Sequence, residues 1–305
     1  MMAMLYLRNK LFLLLVIGCV GNMPLYAQQF TQFSNYLMNS VAINPAYTGS
    51  KGVTELMGSY RRQWSEIEGS PSTYNLLLHT KLEQNQLGIG GSILKDKIGV
   101  SETIITSAMA SYSIDLDRFK LSFGLSAGMY AFSANLNQVK TITEDDPAFV
   151  GEASTKYLPQ IGTGFFIHDE TSYLGFSAPD IIESNNNYIN KERHYYLSLG
   201  KVFELSEAVQ LKPSMLVKFT ESTNPQFDLS ATFIVKKIVG FGASHRIKTG
   251  NILFVQLFPS QKWSMAYAYD SMSNGLKNSD GNTHEITLIY KFIRTQKTII
   301  TPRYF

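Results

Sequence analysis

Short stretches of alternating apolar and polar residues recur along most of this chain. In the most regular stretch, residues 119–131, every second residue is apolar and the residues between them are mostly polar or small. A period of two places alternate side chains on opposite faces of a β-strand. The same alternation appears at residues 263–269 and 284–292. The pattern therefore predicts many strands that each have one apolar face.

We expect about 14 strands from this pattern, at residues 52–65, 72–83, 86–97, 101–115, 118–132, 156–168, 171–178, 192–204, 208–220, 225–236, 238–247, 250–258, 261–270 and 283–294. An even number of antiparallel strands is typical of bacterial outer-membrane barrels. The sheet must close, because an open edge in lipid leaves backbone groups without hydrogen bonds. The predicted fold is all-β, a transmembrane antiparallel outer-membrane β-barrel over residues 52–294.

The predicted connections differ in length between the two ends of the barrel. Alternate turns are tight, whereas several of the intervening connections are long, namely residues 133–155, 179–191 and 271–282. Outer-membrane barrels have short periplasmic turns and longer extracellular loops. Two connections on the long side, 221–224 and 248–250, are short. A soluble β-sandwich or a two-domain β protein would also alternate, but it gives no reason for this asymmetry.

Residues 1–27 are predicted to be a cleaved signal peptide. Arg8 and Lys10 precede an apolar stretch of about ten residues, too short for a membrane-spanning helix, and Ala27 ends a plausible cleavage site. An alternative is a lipoprotein signal, in which Cys19 becomes lipidated. Cleavage after Ala27 would remove the single cysteine, which excludes disulfides and thiolate chemistry from the mature chain.

Composition supports an exported barrel. The chain of 305 residues is 17% charged, below the roughly 25% of ordinary globular proteins. Its mean hydropathy of −0.06 is far from that of a bundle of membrane helices. The net charge is +3 and no basic run stands out, so we expect no nucleic-acid partner.

Two segments flank the predicted barrel. Residues 28–51 lack the alternation, and we expect this N-terminal segment to lie at the periplasmic rim or to fold into the lumen as a partial plug. Residues 295–305 form a C-terminal tail.

The N-terminal segment also contains the first of several family-like stretches. Gln29–Phe33, Met38 and Ile43-Asn44-Pro45-Ala46-Tyr47-Thr48-Gly49-Ser50 resemble the start of the PorP/SprF family of the type IX secretion system of Bacteroidetes. Similar stretches follow in order, at residues 62–64, 68–71, 87–90, 96–99, 121–125, 173–177 with Pro179, and 284–286. The resemblance covers nearly the whole mature chain.

The resemblance implies a non-enzymatic outer-membrane barrel. Its implied partners are the C-terminal domain of a large secreted adhesin, for surface attachment or gliding, subunits of the type IX machinery, or both, together with membrane lipid. The candidate partner-binding residues are Asn44, Pro45, Tyr47, Arg62 and Trp64. Each also has a local structural interpretation, such as a turn at Asn44-Pro45 or a membrane-interface anchor at Trp64. A passive porin or a channel for hydrophobic solutes is the alternative function.

No convincing catalytic or metal-binding pattern is present in the sequence. Gly124-Leu125-Ser126-Ala127-Gly128 matches the hydrolase nucleophile motif, but that chemistry requires a sharp strand-to-helix turn. Here the motif lies inside the most regular strand, so we expect Ser126 to be a small lumenal residue. The acidic residues 144–146 could bind calcium or form a solvated loop. We therefore expect no enzyme activity, no cofactor and no metal site.

Overall fold

A computed structural model describes residues 34, 36–82, 86–135, 152–185, 190–221, 223–272 and 282–293. The predicted signal peptide, Cys19, the acidic residues 144–146 and the C-terminal tail lie outside these ranges and stay predictions. Within the described ranges, no helix is long and apolar enough to cross a membrane.

The described residues form seventeen strands and two short helical turns. The helical turns are α1 (Ser40–Ile43) and the 3-10 helix η1 (Pro45–Tyr47). The strands are β1 (Thr54–Arg62), β2 (Ser72–Lys81), β3 (Leu87–Ile98), β4 (Ser101–Leu116), β5 (Phe119–Asn135), β6 (Glu152–His168), β7 (Ser172–Asp180), β8 (Ser184–Asn185), β9 (Asn190–Lys191), β10 (His194–Lys201), β11 (Phe203–Glu204), β12 (Val209–Thr220), β13 (Gln226–Val235), β14 (Val239–Arg246), β15 (Gly250–Leu257), β16 (Trp263–Met272) and β17 (Thr283–Phe292).

Fourteen of these strands form one closed antiparallel barrel. Neighbours in sequence pair with one another, and β1 pairs with β17 from Thr54↔Phe292 to Arg62↔His284. The two-residue strand β11 extends the path of β10 beside β12, whereas β8 and β9 form a separate small hairpin. The predicted closed barrel is confirmed, and the open β-sandwich is wrong because no sheet edge is left in the main sheet.

The predicted strand positions agree closely with the structure, with one clear difference. β5 and β6 extend to Asn135 and from Glu152, beyond the predicted limits at residues 132 and 156. A third short connection, Gly99–Val100, joins β3 to β4 on the side of the long loops. The length asymmetry therefore holds for the barrel as a whole but not for every connection.

The strands expose apolar side chains on the outer face and bury polar or small ones on the inner face. In β5, Phe123 and Leu125 are 52% and 64% exposed, whereas Ser122 is 1% exposed. This agrees with the predicted outward direction of Leu121, Phe123, Leu125 and Ala127. A band of exposed apolar side chains around a polar interior is the arrangement expected of a barrel in lipid.

The barrel has two distinct ends, which we name by their connections. The short-turn end is where β1 begins and β17 ends, and it includes the turns at residues 117–118 and 236–238. The long-loop end includes residues 63–71, which we call the β1–β2 loop, and residues 181–193.

Candidate functional site: a filled lumen

The described part of the N-terminal segment lies inside the barrel. Residues 36–53, the lumenal segment, include α1 and η1, and most of their side chains are buried. Ala46 is 0% exposed and Thr48 is 1% exposed. Since η1 contacts β4, β5, β6 and β7, the segment packs against the inner surface of the wall. The described residues of the segment therefore line the inside of the wall, and its predicted role as a plug stays a prediction.

Asn44 links the lumenal segment to the wall through its side-chain amide. Its Oδ1 accepts a hydrogen bond from the backbone N–H of Ala46 at 2.9 Å, which caps η1. Its Nδ2 donates to the carbonyl oxygen of Phe165 in β6 at 3.0 Å. Pro45 occupies the first position of η1, where a missing N–H costs nothing and φ is already suitable.

Glycines in the wall make room for this close approach. A β-carbon on Gly164 would lie 2.3 Å from Asn44 Oδ1, and one on Gly88 would lie 2.2 Å from the carbonyl oxygen of Thr48. Gly124 has the same relation to η1. Further along β3, a β-carbon on Gly90 would meet both the neighbouring strand, at His79 and Leu78, and Thr48 of the segment.

Two hydroxyl groups of the wall also bind the backbone of the segment. Ser177 Oγ donates to the carbonyl oxygen of Ile43, and Ser111 Oγ donates to that of Thr48, each at 2.6 Å. Buried backbone carbonyls need such partners, because an unpaired buried acceptor costs about 1–3 kcal/mol. The segment is therefore held by specific hydrogen bonds as well as by apolar contact.

Gly49 of the lumenal segment lies near the short-turn end, where the chain bends towards β1. Its φ of +72° lies in the left-handed region, and a β-carbon would lie 2.9 Å from the carbonyl oxygen of Thr80. The N–H of Gly49 donates to Nδ1 of His79 at 3.1 Å. Nδ1 is then the acceptor, so Nε2 carries the proton and faces Glu55 Oε2 at 3.2 Å.

At the long-loop end, Ser34 binds a buried charged cluster. Its backbone N–H donates to Glu285 Oε2 at 2.6 Å, and its hydroxyl donates to Asp270 Oδ2 at 3.1 Å. Arg61 Nη1 donates to the Ser34 hydroxyl oxygen at 3.0 Å. Arg61 is the second-last residue of β1, so Ser34 and Gly49 lie near opposite ends of the lumen.

The charged cluster extends across the lumen to β13 and β14. Arg246 contacts Asp228 and Asp270, each at 3.2 Å. All three side chains are at most 7% exposed. Beside them, Tyr36 of the lumenal segment shares a hydrogen bond of 2.8 Å with Ser230, and burial raises the pKa of its phenol to about 12. The charges of this cluster are therefore paired with one another and with Ser34.

The five predicted partner-binding residues fall into two groups. Asn44, Pro45 and Tyr47 are buried in the lumen, so they offer no exposed surface. Arg62 is exposed at the long-loop end, and Trp64 is half-buried in the β1–β2 loop with a φ of 52°. Partner binding at these positions stays a prediction, and the structure does not bring the two groups together.

Sequence reasoning missed the wall residues that receive the lumenal segment. Gly164, Ser111 and Ser177 looked like ordinary small residues of a lumenal strand face. Two features of the sequence together could have identified them. Small residues occupy inward positions on several strands, and a compact, turn-rich segment precedes β1. Within the described part of the chain, no group of three or more His, Cys, Asp or Glu is placed to hold a metal ion.

Comparison with known protein families assigns the chain to one of them. The model of the family described as "Type IX secretion system membrane protein PorP/SprF" matches residues 25–290. The chain belongs to this family. It is an outer-membrane barrel of the type IX secretion system, which confirms the resemblance noted in the sequence. No curated protein matches the chain in sequence.

Several solved outer-membrane structures are similar to this PorP/SprF barrel. The CymD monoaromatic hydrocarbon channel has 11% identity and a TM-score of 0.49, and covers 87% of this chain and 94% of its own. A FadL homologue of Pseudomonas aeruginosa has 12% identity and a TM-score of 0.45, with 83% and 94% covered. Omp33 of Acinetobacter baumannii has 11% identity and a TM-score of 0.44, with 79% and 98% covered. Such likeness carries no information about function.

Proposed function

We propose that this protein is a closed, non-enzymatic barrel that binds a type IX partner at its long-loop end. The observation that supports this most directly is the filled lumen. The lumenal segment occupies the interior and binds the wall through Asn44, Ser111 and Ser177. A barrel filled in this way is suited to present a surface rather than to pass solute.

The partner that we propose is the folded C-terminal domain of a secreted adhesin, a subunit of the machinery, or both. The β1–β2 loop provides a suitable contact surface, since Arg62 is exposed and Trp64 lies two residues further on. Arginine and tryptophan are enriched among the residues that dominate interface energy.

This loop is tied to its neighbours on both sides. The N–H of Ser65 donates to the carbonyl oxygen of Asn282 at 3.1 Å, and the N–H of Gly99 donates to that of Gly69 at 2.9 Å. A loop that is already ordered loses less conformational entropy when a partner binds. We therefore place the centre of the contact on Trp64, within this ordered loop.

The test compares the two tryptophans of the chain. Trp64 lies at the long-loop end, whereas Trp263 begins β16 at the short-turn end, where it is 43% exposed. We expect Trp64→Ala to lose the partner in pull-downs from solubilised outer membranes and to reduce surface display of type IX cargo. Trp263→Ala is the matched control and should retain both. Equal retention by the two variants, or normal type IX secretion in a strain without this protein, would overturn the proposal.

A passive porin is the competing function, and conductance separates the two. We expect the purified barrel to show no steady conductance in planar bilayers, because the lumenal segment blocks the path. A steady open current from the intact protein would favour the porin. As a check on the non-enzymatic assignment, Ser126→Ala should leave secretion and surface display unchanged, since Ser126 lies within the regular strand β5.

A further inference from the structure

A row of basic side chains crosses the outer face of the barrel beside the long-loop end. The strand registers pair Arg62 with His284 on one side and with Ser72 on the other, and they pair Ser72 with Lys97. Arg62 and Lys97 are both exposed. Neighbouring strands lie ~4.8 Å apart, so these two side chains start about 10 Å from each other on the same face.

Two tyrosines and a third basic residue lie next to this row, towards the middle of the barrel. Tyr60 pairs with Tyr74, and Tyr74 pairs with Lys95. The tyrosine rings lie 4.7 Å apart between centroids. Tyrosine is enriched where the hydrocarbon core meets the headgroups. The basic row therefore lies at headgroup level.

An apolar groove continues from the tyrosines towards the centre of the wall. It has a volume of about 470 Å³ and lies over Gly58, between the side chains of Leu76, Ile93, Ile286 and Leu288. A β-carbon on Gly58 would meet nothing within 4 Å. The floor of the groove is thus open, and its sides are hydrocarbon.

We propose that this face binds a phosphorylated glycolipid of the outer leaflet, with its phosphate between Arg62 and Lys97 and an acyl chain in the groove over Gly58. Arginine binds phosphate through paired N–H donors, and lysine adds a compact positive charge. Glu102 neutralises one basic residue, Lys95, at 2.8 Å. Glu102 also lies opposite Lys97 in the β3–β4 ladder, so three basic side chains share one carboxylate and the row stays positive.

The other acidic side chains nearby do not cancel the positive charge of this row on the barrel face. Glu66 and Glu68 belong to the β1–β2 loop, beyond the last ladder pair of β1. Glu285 and Asp96 occupy inward positions of their strands. The combination of a positive row, an aromatic layer and an apolar groove matches the headgroup, interface and tail of one amphiphile. The leaflet follows from the loop asymmetry, which places the long-loop end outside.

The test measures which lipid the purified full-length barrel retains. The protein is placed in detergent micelles with lipid A, with phosphatidylglycerol or with phosphatidylcholine, and bound lipid is counted by native mass spectrometry. We expect lipid A to bind in preference to both phospholipids. The double variant Arg62→Gln/Lys97→Gln should bind lipid A about tenfold more weakly or worse, since it removes charge-assisted hydrogen bonds to phosphate.

A second variant tests the groove independently of charge. Gly58→Leu should fill the open floor and weaken lipid A binding by a similar factor while the barrel still folds. The matched controls are Lys248→Gln/Lys262→Gln, two exposed lysines elsewhere on the barrel, and Ala243→Leu on the outer face of β14. Both controls should bind as the unmodified protein does.

Three outcomes would overturn the proposal. Undiminished lipid A binding by Arg62→Gln/Lys97→Gln would exclude the phosphate position, and undiminished binding by Gly58→Leu would exclude the groove. Equal retention of phosphatidylglycerol and lipid A would show that the face accepts any anionic lipid rather than the glycolipid. None of these results depends on whether Trp64 contacts a type IX partner.

Discussion

A β-carbon on Gly124 would lie 2.1 Å from the amide nitrogen of Ala46. β5 and η1 are therefore in backbone contact, and the wall and the lumenal segment approach each other as closely as two paired strands do. No side chain other than hydrogen fits at Gly124 unless the segment moves.

This contact gives the first prediction. Gly124→Ala should displace the lumenal segment, at a cost of about 1–3 kcal/mol in the free energy of unfolding, which is typical of an overpacked interior. We expect faster proteolysis of the segment and the appearance of conductance in planar bilayers. Gly58→Ala serves as the control, because its β-carbon meets nothing within 4 Å. An unchanged proteolysis pattern in Gly124→Ala would mean that the segment does not occupy this position.

The second prediction compares adjacent residues on opposite faces of β5. Leu125 is 64% exposed on the outer face, whereas Ser126 faces the lumen. Arginine on the lipid face near the bilayer midplane costs about 2–4 kcal/mol, and lumenal substitutions cost less. Leu125→Arg should therefore reduce the amount of heat-modifiable, assembled barrel in the outer membrane far more than Ser126→Arg. Equal assembly of both variants would contradict the side-chain directions described above.

The third prediction concerns orientation in the membrane. If the long-loop end faces outside, a cysteine at Glu68 should react with an impermeant thiol reagent on intact cells, and a cysteine at Ser260 should not. We expect no background labelling of a native thiol, because Cys19, the single native cysteine, lies in the predicted signal peptide. Labelling at Ser260 alone would reverse the orientation.

The fourth prediction concerns acid stability of the turn between β6 and β7. Burial alone raises the pKa of the Asp169 carboxyl group, but hydrogen bonds from the N–H groups of Thr171 and Ser172, together with Arg118, hold the pKa below its ordinary value. A carboxylate whose folded pKa is lowered stabilises the fold at neutral pH and loses that contribution as pH falls through the folded pKa.

We therefore expect Asp169→Asn to lower the free energy of unfolding at pH 7 by about 1–3 kcal/mol. The difference from the unmodified protein should begin to shrink below about pH 4, the ordinary pKa of an aspartate in the unfolded chain, and should be lost fully only below the lower pKa of the folded state. Urea unfolding of the barrel at pH 7 and at pH 3 measures both values. Glu170→Gln, an exposed neighbour, is the control. A difference that stays constant over this range would mean that the charge of Asp169 does not matter.

Most of the barrel could be predicted from the sequence, because each strand carries its own signal. A period of two is a local property, so Leu121, Phe123 and Leu125 could be assigned to the lipid face without knowledge of their neighbours. The ends of β5 and β6 were predicted less well. Near Asn135 and Glu152 the strands continue past the lipid-facing stretch, and the alternation that lipid imposes no longer applies.

The filling of the lumen could not be predicted in the same way. Whether Asn44 meets Phe165 depends on which strands lie beside each other after closure, and no local pattern contains that information. The motif around Asn44 and Tyr47 therefore predicts a partner surface from sequence alone, whereas in the structure its residues pack against the wall. Arg62 is exposed and Trp64 is half-buried, because they end a strand and begin a loop.

Ser34 has a consequence for how the barrel is assembled. It binds Arg61 on the first strand and Glu285 on the last, so it bridges from inside the seam where the two ends of the sheet meet. Pairing of strands so distant in sequence is entropically slow, and a segment that holds both partners acts as a template for it. The same residues precede the first strand along the chain, so they are available before any strand pairs. We therefore expect the closing of the barrel and the filling of its lumen to occur together.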